Sequence, residues 1–166
     1  METGAAAEVI TIDMVRRFLD RLADVLLHGD FDGYAAMIQL PFVVQTRRYR
    51  FISTEREDLH KSFDLWQRTI EVNMATALIH RPLRIECFGP DSLMVDYDTD
   101  LLCKAQKVLP TFTNWMMLRR RDGVWRVEQV LAGVENAEPS LYLRVDPANP
   151  VPQTETYVLD ERPKKS

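Results

Sequence analysis

Asn114-Trp-Met-Met-Leu-Arg-Arg-Arg-Asp-Gly-Val-Trp-Arg-Val-Glu-Gln-Val130 holds two β-prone runs on either side of Asp122-Gly123. That dipeptide tolerates the positive φ angles of a tight two-residue turn, so the stretch predicts a β-hairpin. It stands near the end of a chain that begins with helical patterns, and this order predicts an α+β domain.

The turn also assigns faces. If Arg121 opposes Val124, one face carries Phe112, Asn114, Met116 and Leu118 with Trp125, Val127, Gln129 and Leu131. This face is the more apolar and is expected to look toward the helices. Asn114 and Gln129 are its polar exceptions. A buried amide needs partners, so each either bonds the scaffold or meets a ligand. A bulge at the turn would shift one strand by a residue and change the assignment.

The other face carries Thr113, Trp115, Met117 and Arg119 with Arg126, Glu128 and Val130. An apolar centre of Trp115, Met117 and Val130 with a charged rim has the composition of an interface. Trp115, Met117, Arg119 and Val130 are therefore expected to form a homodimer contact. The alternative is that the chain's own tail folds back over them.

Two further segments precede this hairpin, giving strands at about 76–88, 92–104, 111–121 and 124–134. Short turns link them except at Lys104–Pro110, which predicts an antiparallel, sequential sheet. Gly89-Pro90-Asp91 turns the first pair. That pairing sets Arg84 opposite Asp96, Pro82 opposite Asp98 and His80 opposite Asp100. A proline there removes a ladder bond and marks a bulge or an edge.

Asp96-Tyr97-Asp98-Thr99-Asp100 places three carboxylates on one strand face. Like-charge crowding there raises a carboxylate pKa and suits a general acid or base. Ordinary cross-strand charge pairs explain the same pattern. The catalytic reading rests on His80 and Asp98, either of which a bulge at Pro82 turns inward. Tyr97 falls on the opposite face and is expected to point into the interior.

Toward the N-terminus, Thr11 reads as a helix cap, followed by Ile12, Val15, Phe18, Leu19, Leu22, Val25 and Leu26 at helical spacing. His28-Gly29 ends that helix. Asp30 caps a second, short helix carrying Phe31, Tyr34, Met37 and Ile38, which Leu40-Pro41 breaks. Phe42–Thr46 and Tyr49–Ile52 read as a short strand pair. Thr54-Glu55-Arg56-Glu57 matches a capping box for a third helix with Leu59, Phe63, Trp66 and Ile70 on one stripe.

The chain's 166 residues, 46% of them hydrophobic, suit one globular domain with a substantial core. Residues 1–10 are expected to form a loose arm, 11–134 the domain and 135–166 an extended tail. Five prolines between Pro139 and Pro163 exclude helix and central strand from that tail. The net charge of −4 comes with interspersed signs, and no basic stripe offers itself to nucleic acid. Arg119-Arg120-Arg121 reads as a solvated edge. No apolar run approaches the ~20 residues needed to span a bilayer. The first residues lack the basic and apolar order of a secretory signal, so a cytoplasmic location is expected. Cys87 and Cys103 are set at opposite ends of a strand pair, on the order of 30 Å apart at ~3.3 Å per residue, so no disulfide is expected. Neither a metal site nor a cofactor motif is expected.

Three segments carry a family likeness: Gly29-Asp30-Phe31-Asp32 between helices, Leu40-Pro41-Phe42-Val43-Val44 entering the first strand, and Arg121-Asp122-Gly123-Val124-Trp125-Arg126-Val127 in the last hairpin. In their order and spacing the chain resembles the nuclear transport factor-like superfamily over residues 11–134. The resemblance implies three helices on a strongly curved antiparallel sheet, a cystatin-like cone with a conical pocket, and pairing through the sheet. Ketosteroid isomerase-like members use a first-strand aspartate with a tyrosine and a protonated aspartic acid. Here Phe42–Thr46 holds no carboxylate and the first helix no tyrosine. Dehydratase-like members use pocket histidines, whereas this chain has only His28, His60 and His80.

The leading expectation is therefore binding of a small, mainly apolar molecule without a cofactor, in a homodimer. Tyr97, Asn114 and Gln129 would make the polar contacts, and Tyr34, Phe42, Trp66 and Met116 the walls. The alternatives are a lyase- or isomerase-type enzyme using Asp98 or His80, and an interaction module using the Trp115 face.

Overall fold

The computed structural model describes residues 9–46 and 50–133. The expected N-terminal arm, up to residue 8, and the tail beyond residue 133 lie outside them. Helix α1 spans Ile12–Leu27, and its buried Val15, Leu19, Leu22, Ala23 and Leu26 recur at helical spacing. Thr11 caps it, its side chain accepting from the Met14 N–H at 3.1 Å. The short α2, Phe31–Ala36, is capped by Asp30, which accepts from the Gly33 N–H at 2.9 Å.

The second helix is shorter than expected. It ends at Ala36, and Ile38 already belongs to strand β1, Ile38–Gln45. The strand runs through Leu40-Pro41, whose peptide bond is cis. Strand β2, Arg50–Ser53, pairs with it antiparallel. Helix α3, Arg56–Val72, starts one residue later than the Thr54 box suggests. Asp58 rather than Glu57 closes it, its carboxylate accepting from Thr54 N–H and Thr54 hydroxyl at 3.1 Å each. Those bonds hold the Asp58 pKa below the usual carboxylate range.

Five more strands follow: β3 Ala77–Cys87, β4 Ser92–Cys103, the two-residue β5 Gln106–Lys107, β6 Phe112–Arg121 and β7 Val124–Leu131. The long strands run in the order β2-β1-β7-β6-β4-β3, with β5 on β4. The hairpin turn is as read. Asp122 and Gly123 have φ of 52° and 75°, and Arg121 opposes Val124. One expectation is corrected. The sheet is mixed, because β1 pairs parallel with β7. The first strand reaches β7 only after the intervening helix and strands, and a crossover of that length allows parallel pairing.

Two bulges change faces. Between Pro82 and Arg84 the β3–β4 register slips by one, so His80 opposes Thr99 and Arg81 opposes Asp98. Between Met117 and Leu118 the β6–β7 register slips again, leaving Glu128 as the extra residue. Gln129 then opposes Met117, and Val130 opposes Met116. Relative to the sequence reading, Gln129 and Leu131 move to the outer face and Val130 moves inside.

The core lies between α1, α3 and the concave sheet face. Leu19, Leu59, Leu93, Val95, Leu101, Met116, Leu118 and Val127 are fully or almost fully buried there. Among the described residues no helix is long and apolar enough to cross a membrane.

Candidate functional site

The concave face and the helices do not close completely. They leave a cavity with about 510 Å³ of atom-free space including its open side, of which about 50 Å³ admits the centres of water molecules. A water centre needs ~10–15 Å³ of such space. The cavity thus has room for a few waters or the head of a small ligand.

Its walls follow from the elements. Leu22 and Leu26 come from the inner stripe of α1, Tyr34 from α2 and Trp66 from α3. Ile38, Phe42 and Val44 come from β1, and Val127, Val130 and Ala132 from β7 or its end. His80, Tyr97 and Asn114, on β3, β4 and β6, complete the lining. No charged side chain is among these residues.

Tyr34, Phe42, Trp66, Tyr97 and Asn114 are therefore brought together as the sequence suggested. Two other candidates are not. Met116 is fully buried beside Val130 and is not itself among the lining residues, and Gln129 stands on the outer face beside Met117 and Val43. Sequence reading placed Val130 outside because the β7 bulge has no local signature. It missed Leu22, Leu26, Ile38, Val44 and Ala132 because cavity wall and solid core use the same residue types.

The polar corner is ordered through Asn114. Gly133 N–H donates to Asn114 Oδ1 at 3.0 Å, which fixes the orientation of the amide. Asn114 Nδ2 then donates to Thr99 Oγ1 at 2.7 Å. Asn114 is thus a scaffold residue at both ends of its amide. His80 Nδ1 lies 2.9 Å from the same Thr99 hydroxyl. Its ring meets Tyr97 edge to face, with centroids 5.1 Å apart. The far nitrogen, Nε2, is buried without a hydrogen-bond partner among the described residues. Burial pushes the His80 pKa down to about 4, so the imidazole is neutral at physiological pH.

The second catalytic candidate lies elsewhere. Asp98 alternates with the inward Tyr97 and Thr99, so it faces outward, where Thr113 Oγ1 donates to it at 2.6 Å. Its neighbours are also structural. Asp96 takes Arg84 Nε at 3.0 Å, and Asp100 takes Arg81, Lys107 and Thr111. Burial pushes the Asp100 pKa up, but those bonds and charges outweigh it and hold the carboxyl below its usual range. The carboxylate string is a cross-strand ladder, with Asp100 held by Arg81 where the unbulged register had set His80.

On the outer face, Trp115 opposes Leu131 and Asp96, and Met117 opposes Gln129 and Met94. Beyond Gln129, Val43 and Ile52 continue the Met117 row across β1 and β2, whereas the Trp115–Leu131 row continues as Gln45 and Arg50. Arg119 grips Glu128 through paired bonds of 3.0–3.1 Å.

No family model and no curated protein matches the chain. Solved structures do. An NTF2-like protein with a cystatin-like fold from Novosphingobium aromaticivorans superposes with a TM-score of 0.59 at 13% identity, over 72% of this chain and 79% of that one. An NTF-2-like protein of unknown function from Shewanella oneidensis gives 0.58 at 13% identity, over 72% and 96%. A protein of unknown function with a cystatin-like fold from Nostoc punctiforme gives 0.57 at 17% identity, over 82% and 98%. The chain therefore has the NTF2-like, cystatin-like α+β fold.

Proposed function

We infer that this protein binds a small, neutral, mainly apolar molecule in the cavity beneath its curved sheet. The observation that carries this reading is the lining: aliphatic and aromatic walls from six elements, no charged side chain among the described residues, and one ordered polar corner. An ion entering such a wall loses its hydration without gaining a counter-charge, which selects against charged ligands. Proton-transfer chemistry has less support, because Asp98 faces the other way and a histidine with a pKa of about 4 is a weak base.

A homodimer through the outer sheet face belongs to the same reading. Its apolar centre is Trp115, Met117 and Leu131, rather than Val130, and Arg119 with Glu128 forms part of the rim. The expected place of action is the cytoplasm.

Methyl NMR during titration with α-methylstyrene tests the binding. Shifts concentrated on Leu22, Leu26, Val44 and Val130, abolished by Ala132→Trp, are the expected result. Shifts scattered over the surface, or none, would remove the reading.

A further inference from the structure

The orphaned nitrogen of His80 identifies the polar group the ligand carries. The argument starts from Asn114, whose Oδ1 is occupied by the Gly133 N–H, so its Nδ2 is the atom that donates to Thr99. The Thr99 hydroxyl accepts there and has one proton of its own to place. Among the described residues the acceptor that meets it is His80 Nδ1 at 2.9 Å. Thr99 therefore donates to Nδ1, and a neutral imidazole then carries its single proton on Nε2. That N–H is buried and meets no acceptor among the described residues. A buried donor left without an acceptor is unfavourable, and few are found in folded proteins.

Resting on the reading of the cavity as a binding site, we propose that His80 Nε2–H is the hydrogen-bond donor for a neutral carbonyl-bearing ligand. The class is an apolar ketone, aldehyde or ester whose hydrocarbon part fills the Leu22–Trp66–Val130 side while its oxygen meets the imidazole. Carboxylates are disfavoured, since no cation lines the cavity among the described residues. Because Nε2 is buried, a ligand in the cavity reaches it only with a small turn of the imidazole, whose ring stands edge to face with Tyr97. The bulge at Leu83 is what makes the site. It brings His80 opposite Thr99 and onto the inner face, where an unbulged strand would leave it outside.

The test uses two probes of nearly the same shape, acetophenone and α-methylstyrene, which differ in one carbonyl oxygen. Wild-type protein is expected to prefer acetophenone roughly three- to tenfold, the contribution of one added neutral hydrogen bond. His80→Phe is expected to bring the ratio to about one while α-methylstyrene still binds. Equal affinities in the wild type, or a preference that survives His80→Phe, overturn the proposal and leave the binding site standing. Binding of neither probe overturns both. Should His80→Phe fail to fold, ¹⁵N imidazole spectra of the wild type decide. A proton on Nε2 whose resonance moves with acetophenone and not with α-methylstyrene supports the proposal. A proton on Nδ1 overturns it.

Discussion

At the residue scale, His80 is the side chain with the largest consequences. Folded, its pKa lies near 4; its ordinary value is 6.5. The unfolded chain therefore binds a proton that the folded chain refuses between those values. Stability from this group is complete above pH 6.5 and is lost as pH falls toward 4, on the order of 3 kcal/mol at about 1.4 kcal/mol per pKa unit. The expected outcome is that His80→Gln flattens the loss of chemical-denaturation stability between pH 6.5 and 4 relative to wild type. Parallel curves for the two proteins would contradict it. This residue was legible as a candidate, because Pro82 signals a bulge that can turn His80 inward. The direction of the slip was not legible, and neither was the second bulge. Glu128 looks like any strand residue, yet it carries Gln129 out and Val130 in.

At the element scale, the helices and the four long strands were legible because their ends carry chemistry. Thr11 and Asp30 cap, Gly89-Pro90-Asp91 turns, and Asp122-Gly123 closes the hairpin at positive φ. The partner of β1 was not legible, since nothing in Ile38–Gln45 says which strand it lies beside. The end of β7 gives a test. Gly133 passes so close to β6 that an added Cβ would stand 2.0 Å from the Thr113 carbonyl oxygen, whereas Gly123 has open space around it. Gly133→Ala must push two backbones apart and break the Asn114 contact. It is expected to cost about 2 kcal/mol or more. Gly123→Ala meets only the cost of positive φ, about 1 kcal/mol. Urea unfolding of both variants checks the order, and a Gly133→Ala protein as stable as Gly123→Ala would refute the close approach.

At the scale of the whole molecule, one curved sheet presents two apolar surfaces. The concave one is covered by α1, α2 and α3 except at the cavity. The convex one carries the Trp115, Met117 and Leu131 rows, with Leu131 44% exposed. If that face pairs two copies, a charge at its centre is left desolvated without a partner. Leu131→Asp is expected to convert a dimeric mass in light scattering to a monomeric one at micromolar concentration. A wild-type protein that is already monomeric there would remove the dimer from the account. The fold itself was legible from the order of elements. Whether the cone is hollow was not, because Phe42, Tyr34 and Trp66 would serve equally as filling. The most direct measurement is a crystal structure of the protein under xenon pressure, since xenon enters apolar cavities that water leaves dry. The account predicts a xenon atom among Leu22, Trp66 and Val130. Side chains packed solidly through that space, with no xenon in it, would contradict the account.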